Sequence, residues 1–264
     1  MNLRVLFVGD VFADAGRKII ATELEGIRGE MDIDLCVANG ENASSKGMGI
    51  SRSAAADLFR AGVDVLTLGN HTWKNREVLT LFEEEERLIR PANYPTNNPG
   101  NGSVIVETDR GNVGIINVAG RVYMDSADCP FRAAEREIAK LRRQTAVILI
   151  DFHGEATSEK YAFAYFVDGK VSCVVGTHTH VQTADERIMP EGTAFITDVG
   201  MTGPADGIIG VDREIIIKKF LTQIPSRFEP AKGDVQLCAV VVEIDESTGR
   251  AVSIERLKRV VREP

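Results

Sequence analysis

Apolar, β-branched runs recur along the chain at residues 5–8, 35–38, 63–68, 104–106, 113–118, 146–150, 171–175, 194–196, 237–244 and 251–254. Each has strand length and polar or turn-forming flanks, so each predicts a β-strand. Between the earlier runs, apolar positions return with helical spacing over 16–30, 52–61, 76–87, 131–143 and 158–166. Alternation of this kind implies βαβ units with right-handed crossovers and helices on the outer faces of sheets. The run VGIINVAG is apolar on both faces and fits an interior strand. Ten strands are many for one sheet covered on both sides. The economical architecture is α/β, a four-layer α-β-β-α sandwich of two packed mixed sheets with helices outside.

At 264 residues the chain can bury a large core as a single domain spanning 1–264. Hydrophobic residues at 44% and charged residues at 27% exclude disordered, collagenous and low-complexity classes. The segment PANYPTNNPGNG, 91–102, is dense in turn formers and reads as a loop inside that domain. The four carboxylates at 83–86 read as a solvated helix face. The opening MNLRVLFVGD lacks the layout of a signal peptide, and no apolar run approaches a membrane span, so a cytoplasmic protein is expected. Cys36, Cys129, Cys173 and Cys238 show no CxxC spacing, and three of them lie in apolar runs as expected for buried free thiols.

The formal charge of −8 disfavours broad binding to a nucleic-acid backbone. A small phosphorylated ligand is still allowed, because bound cations can meet its charge locally.

All four histidines sit in short motifs that end strand-like runs: Asn70-His71, Phe152-His153, and His178/His180 in GTHTH. Gly9-Asp10 follows VLFV, and Gly40-Glu41-Asn42 follows LCVAN. In open α/β sheets ligands collect outside the carboxyl ends of strands, so these residues can converge from distant parts of the chain. Imidazole mixed with carboxylate and amide oxygen is a donor set for hydrolytic first-row metals. The plainer reading, that loops at strand ends are simply polar, suits one such motif better than all of them. His178 and His180 are two apart, which on an extended strand puts both side chains on one face, where they could serve neighbouring metals.

The order GD, GEN, GNH, FHGE, GTHTH resembles the calcineurin-like metallophosphoesterases. The longer strings FVGDV, NGENAS, LGNHTW, RPAN, DFHGEATSEK, GTHTHVQTAD and TDVGMTGP resemble one subgroup, the YmdB family of bacterial 2′,3′-cyclic nucleotide phosphodiesterases. Two departures from the wider pattern stand out. The usual Asp-x-His is Asp10-Val11-Phe12 here, which removes an imidazole ligand, and the bridging carboxylate is Glu41 in place of Asp. Asn42 is a reasonable substitute oxygen ligand.

The resemblance implies two metals per chain, one held by Asp10, Glu41, Asn42 and His180, the other by Glu41, Asn70, His153 and His178, with Glu41 bridging. The oxygen-rich side favours Fe or Mn, with Zn possible. Two metals about 3.5–4 Å apart can hold a bridging hydroxide as nucleophile and neutralise phosphate oxygens. His71 resembles the family residue that faces the leaving-group oxygen and would act as general acid, worth about 10²–10⁴ in rate. Its alternatives are a fifth ligand or an N-terminal helix residue.

Weaker candidates surround these motifs. Asn39, Ser44, Ser45 and Lys46 could contact ribose or phosphate; Thr72, Trp73 and Arg121 lie near motif ends, and Trp73 could stack on a base or simply pack. Glu155, Thr157 and Glu159 could orient an imidazole. MTGP, 201–204, reads as a tight turn. No residue is singled out as a defined substrate-binding group. The function expected by resemblance is hydrolysis of small cyclic nucleotides, 2′,3′-cyclic NMP to 3′-NMP. A nucleotide- and metal-binding regulatory protein with slow incidental hydrolysis, or a phosphomonoesterase, is the alternative. The acidic balance argues against a nuclease on long strands. The chain is compatible with a homo-oligomer, and no membrane partner is expected.

Overall fold

The computed structural model describes residues 2–262. From the N-terminus the elements are β1 (Asn2–Val8), β2 (Asp10–Val11), α1 (Ala13–Glu30), β3 (Leu35–Asn39), α2 (Arg52–Arg60), β4 (Val65–Thr67), α3 (Val78–Glu84), β5 (Ser103–Thr108), β6 (Gly111–Ala119) and α4 (Pro130–Leu141). There follow β7 (Val147–His153), α5 (Thr157–Val167), β8 (Cys173–Thr177), β9 (Arg187–Ile188), β10 (Ala194–Ile196), β11 (Met201–Pro204), α6 (Arg213–Thr222), β12 (Val235–Asp245) and β13 (Ala251–Val261).

They form two mixed sheets. The first runs β2-β11-β12-β1-β3-β4, with β13 also paired to β12; the second runs β5-β6-β7-β8-β10-β9. Strands β1, β3 and β4 are parallel, as are β6, β7, β8 and β10. β12 returns antiparallel beside β1, with Asn2 opposite Asp245 and Val8 opposite Ala239.

The continuous apolar runs follow from burial on both faces. In β1, Leu3, Val5 and Phe7 enter a cluster between the sheets, together with Val113 and Ile115 of β6 and Leu149 of β7. The alternate residues Leu6 and Val8 meet Ile20, Leu24 and Ile27 of α1 and Leu58 of α2. On the second sheet Ile148, Ile150 and Phe152 turn outward onto Ile138 of α4 and Phe163 of α5. Side chains alternate along a strand, so each interior strand feeds two cores at once, and the four-layer sandwich expected from the sequence is the structure observed.

Several features differ from the sequence pattern, the unpredicted two-residue strands β2 and β9 among them. MTGP is not a turn but strand β11, its first residues parallel to β2 (Met201 with Asp10) and its last antiparallel to β12 (Pro204 with Val235). A four-residue strand with Gly and Pro has little intrinsic β-preference, and its two neighbours supply the pairing. Helix α6 escapes prediction because apolar residues surround it without a stripe, and only Ile216 is buried. Its start was legible, since Asp212 caps it by accepting from the N–H groups of Glu214 and Ile215. β13 continues beyond 254 to Val261 as a partner of β12. Among the described residues no helix is long and apolar enough to cross a membrane.

Candidate metal centre

Strands from both sheets end at one place. Asp10 follows β1, Glu41 and Asn42 follow β3, and Asn70 and His71 follow β4; from the other sheet come His153, the last residue of β7, and the turn after β8 with His178 and His180. All seven predicted ligands and His71 therefore lie at the carboxyl ends of parallel strands, across the seam between the sheets.

On one side, His153 Nε2 lies 3.2 Å from Glu41 Oε1, 2.9 Å from Asn70 Oδ1 and 3.1 Å from His178 Nδ1. Glu41, His153 and His178 each offer a ligand atom within 4.8 Å of the others. On the other side, His180 Nε2 lies 3.2 Å from the Asn42 amide and 3.8 Å from Asp10 Oδ1. Glu41 joins the two groups, since its Oε1 also accepts from Asn42 Nδ2 at 3.2 Å while Oε2 accepts the His71 backbone N–H at 3.0 Å. Asp10 Oδ2 accepts the His178 N–H at 3.0 Å, but Asp10 Oδ1 is buried and accepts no hydrogen bond from the described residues. A buried carboxylate oxygen without a partner costs about 1–3 kcal/mol or more, and a cation is its natural complement.

Electrostatics agree with that reading. Burial raises the Asp10 carboxyl above its ordinary value, against the pull of His180 and His153. Burial also pushes Glu41 upward, but the His153 charge and hydrogen bonds from His153 and His71 outweigh it and hold the carboxyl well below its usual range. His153 is lowered by burial, yet Glu41 carries it up to about 9. Burial and the neighbouring His153 push His178 down to about 3. Glu41 thus favours positive charge at His153, while burial disfavours it at His178.

A further layer fixes the imidazoles. His153 Nδ1 lies 2.9 Å from Thr177 Oγ1, whose hydroxyl donates to Asp151 Oδ1 at 2.7 Å. Asp151 Oδ2 accepts from Asn39 Nδ2 at 2.9 Å and Thr67 Oγ1 at 2.5 Å. With its hydrogen committed to Asp151, Thr177 can only accept from His153 Nδ1, which assigns that nitrogen a hydrogen and turns Nε2, whose own proton a cation would displace, toward Glu41. His180 Nδ1 lies 3.0 Å from the Ile209 carbonyl, which only accepts, so Nε2 is the free atom there too. Sequence reading missed Asp151, Thr177 and Thr67. The legible signal was Asp151 itself, a carboxylate within the apolar run VILIDFH; it is fully buried, and burial raises it to about 6.

The extended-strand rationale for His178 and His180 is corrected by the backbone. Both follow the end of β8 in left-handed conformation, with φ 97° and 65°. Non-glycine residues held there cost about 1–3 kcal/mol each. The side chains reach the centre from two left-handed backbone positions, not from the alternation of a strand.

Around these donors opens a cleft of about 330 Å³, walled by Phe12, Lys46, Met48, Ile209 and Phe228 and reaching His71, His178 and Glu155. Phe12, standing where the wider pattern has His, packs edge-on against His180 at 5.8 Å. A Cβ at Gly47, where φ is +70°, would lie 2.4 Å from the Phe12 ring, so that loop must be glycine to close over it. A larger pocket of about 560 Å³ beside α1 contains none of the clustered donors.

A family model described as YmdB-like protein matches residues 6–257. The chain belongs to the YmdB-like family. It is 46% identical over 255 residues to the 2′,3′-cyclic-nucleotide 2′-phosphodiesterase of Bacillus subtilis (strain 168), covering 97% of this chain and 96% of that protein. Among solved structures it resembles a hypothetical protein from Thermus thermophilus (TM-score 0.92, 42% identity, 99% of this chain and 100% of that one). It also resembles a Mycoplasma pneumoniae protein described as a novel phosphatase (TM-score 0.93, 36% identity, 100% and 95%).

The weaker candidates in this YmdB-like chain separate cleanly. Asn39 is buried behind the centre and does not reach the cleft surface. Lys46 lines the cleft, whereas Ser44 closes its loop through backbone bonds with Gly47 and Gly49, and Ser45 faces the pocket beside α1. Thr72 is buried, donating to the Gly69 carbonyl at 2.6 Å. Trp73 packs against Phe82 and Tyr94, each at 6.0 Å. Glu155 Oε2 lies 3.2 Å from His178 Nε2, as expected for an orienting carboxylate. Glu159 instead accepts the backbone N–H groups of Arg121 and Val122, and Thr157 is exposed.

Proposed function

We propose that this YmdB-like chain is a dinuclear metal-dependent phosphodiesterase that opens 2′,3′-cyclic nucleotides to 3′-phosphates. The observation that carries the reading is the meeting of two donor groups at one bridging carboxylate: Asp10, Asn42 and His180 on one side of Glu41, and Asn70, His153 and His178 on the other. The activity in the name of the Bacillus subtilis relative supports the substrate class. Reading residues 1–264 as one metallophosphoesterase domain is supported by the family match over 6–257 and by the pairing of β1 with β12. Three buried free thiols, Cys36, Cys173 and Cys238, fit the reducing compartment expected of a cytoplasmic protein.

Two first-row ions bound here would polarise the phosphate and lower the pKa of water towards neutrality, and the oxygen-rich Asp10/Asn42 side favours Fe or Mn over Zn. Glu41 and Asp10 hold the charge that balances them. Asn42 turns Nδ2 toward His180 and Glu41 and Oδ1 toward His71 Nδ1 at 2.7 Å. Ligation through its oxygen asks the amide to turn over, which leaves the His71 Nδ1–H to Glu41 Oε1, 3.3 Å away. As an imidazolium His71 carries a second proton on Nε2, and passing it to a leaving oxygen leaves a neutral imidazole held through Nδ1–H. His71 lines the cleft and acts as general acid, passing that proton to the departing ribose 2′-oxygen.

The test joins metal analysis to a product assay on 2′,3′-cyclic AMP. About two ions per chain and 3′-AMP as product are expected. His71→Ala should keep both ions and lose about 10²–10⁴ in kcat on the ribose-leaving substrate, but much less on a p-nitrophenol-leaving one. Equal losses on both substrates with metals retained would withdraw the general-acid role; loss of metal would make His71 a ligand.

A further inference from the structure

A buried ion pair lies directly behind the histidine turn, and none of the proposed chemistry uses it. Lys160 of α5 and Asp198, just beyond β10, are 1% and 0% exposed. Lys160 Nζ donates to Asp198 Oδ2 at 2.9 Å and to the Thr177 carbonyl at 2.8 Å. The same Asp198 oxygen accepts both the backbone N–H of Thr179 at 3.0 Å and its hydroxyl at 2.7 Å, while Oδ1 accepts the Gly200 N–H at 2.8 Å. Thr179 stands between His178 and His180, so the pair grips the turn at its middle and at the residue before it.

We propose that Lys160 and Asp198 are positioning residues: a buried clamp that holds the 177–180 turn in its doubly left-handed form and so presents His178 and His180 to the metals before any ion arrives. This inference rests on the metal-centre reading above. Three considerations carry it. Left-handed backbone at two histidines persists only where surroundings over-determine it, and the clamp supplies three hydrogen bonds to that turn, at the Thr177 carbonyl and at the Thr179 N–H and hydroxyl. A buried ion pair is weak support for stability alone, because an apolar or neutral pair of similar volume often serves as well. Finally, the clamp joins the helix after the His153 motif to the turn carrying the other two imidazoles, tying the ligands to one rigid frame.

The test separates positioning from mere stability. Lys160→Met leaves a buried carboxylate unpaired and should lower the melting temperature sharply; Lys160→Met with Asp198→Asn neutralises both and should recover most of that loss. If the clamp positions the turn, the recovered double variant still binds Mn(II) about 10–100-fold more weakly in chelator competition. In the metal-free protein its Thr179 amide exchanges with solvent at least about tenfold faster than in the parent. Thr179→Val removes only the hydroxyl bond from a partly exposed residue, so it keeps the question open to measurement even if the double variant does not fold; about tenfold weaker Mn(II) binding is expected. Parental Mn(II) affinity in a folded variant, or unchanged exchange at Thr179, overturns the clamp. A parent chain that binds no Mn(II), Fe or Zn overturns the metal-centre reading instead, while the exchange measurement still decides whether the pair orders the turn.

Discussion

Gly69→Ala adds one methyl group to the tightest point of the centre. A Cβ built there would sit 2.3 Å from His153 Cδ2, 2.4 Å from His153 Nε2 and 2.4 Å from Glu41 Oε2. Gly69 does not use left-handed backbone, so alanine fits the local conformation and taken alone would stabilise by about 0.4–1 kcal/mol through the unfolded chain. Any loss must come from the contacts. Reaching ordinary separation at 3.4 Å requires His153 to retreat by about 1.1 Å and Glu41 by about 1.0 Å, the differences from 2.3 and 2.4 Å. Both are buried, His153 is held at Nδ1 by Thr177, and Glu41 Oε2 itself accepts the His71 N–H, so neither moves away without breaking a bond. Overpacking of this size costs about 1–3 kcal/mol, leaving a net loss of up to about 2.6 kcal/mol once the backbone gain is counted. Misplacement by about 1 Å at reacting groups costs about 10²-fold in rate. The assay is metal content and kcat on 2′,3′-cyclic AMP, with thermal unfolding in parallel. Gly29→Ala in α1 is the control, since its Cβ meets nothing within 4 Å. A Gly69→Ala protein with full metal content and kcat within about threefold of the parent would refute the argument that Glu41 and His153 bind at this point.

Three further outcomes are expected. Glu41→Gln should lose metal more completely than Asp10→Asn under matched metal concentrations, because it weakens both sites while Asp10 serves one; elemental analysis of the two variants ranks them, and retention of both ions by Glu41→Gln removes the bridge. Thr177→Val cuts the relay from Asp151 to His153 Nδ1 and should weaken metal binding by about 10–100-fold with little change in fold, as read by chelator competition beside circular dichroism. Removing metal with a chelator should lower the melting temperature by about 5–10 °C relative to protein held at about 100 times the dissociation constant, since binding there contributes about 2.7 kcal/mol; an identical melting curve in scanning calorimetry would mean that the folded chain gains nothing from the ions.

The layers, and the strand ends that carry the candidate donors, are legible in the residues alone. Runs such as VGIINVAG and VILIDFH are apolar at successive positions because each interior strand faces two cores, and that periodicity is local information carried in every run. Asp10, Glu41, Asn70, His153, His178 and His180 could be placed at strand ends for the same reason. What lies behind them emerges only in three dimensions. Asn39 and Asp151 are 112 positions apart, and Thr67 and Asp151 are 84 apart, so no window of sequence reveals that they share one buried network. The spacing of His178 and His180 was visible, but the left-handed backbone at both was not, because it is disfavoured locally and stands here beside contacts from Asp198 and Ile209, distant in sequence. Strand β11 was hidden likewise: its pairing with β2 and β12 comes from neighbours in space, while its own four residues read as a turn. Local pattern fixes which face of an element is buried. The partner that meets that face is set by chain closure over long separations, and only the folded structure contains it.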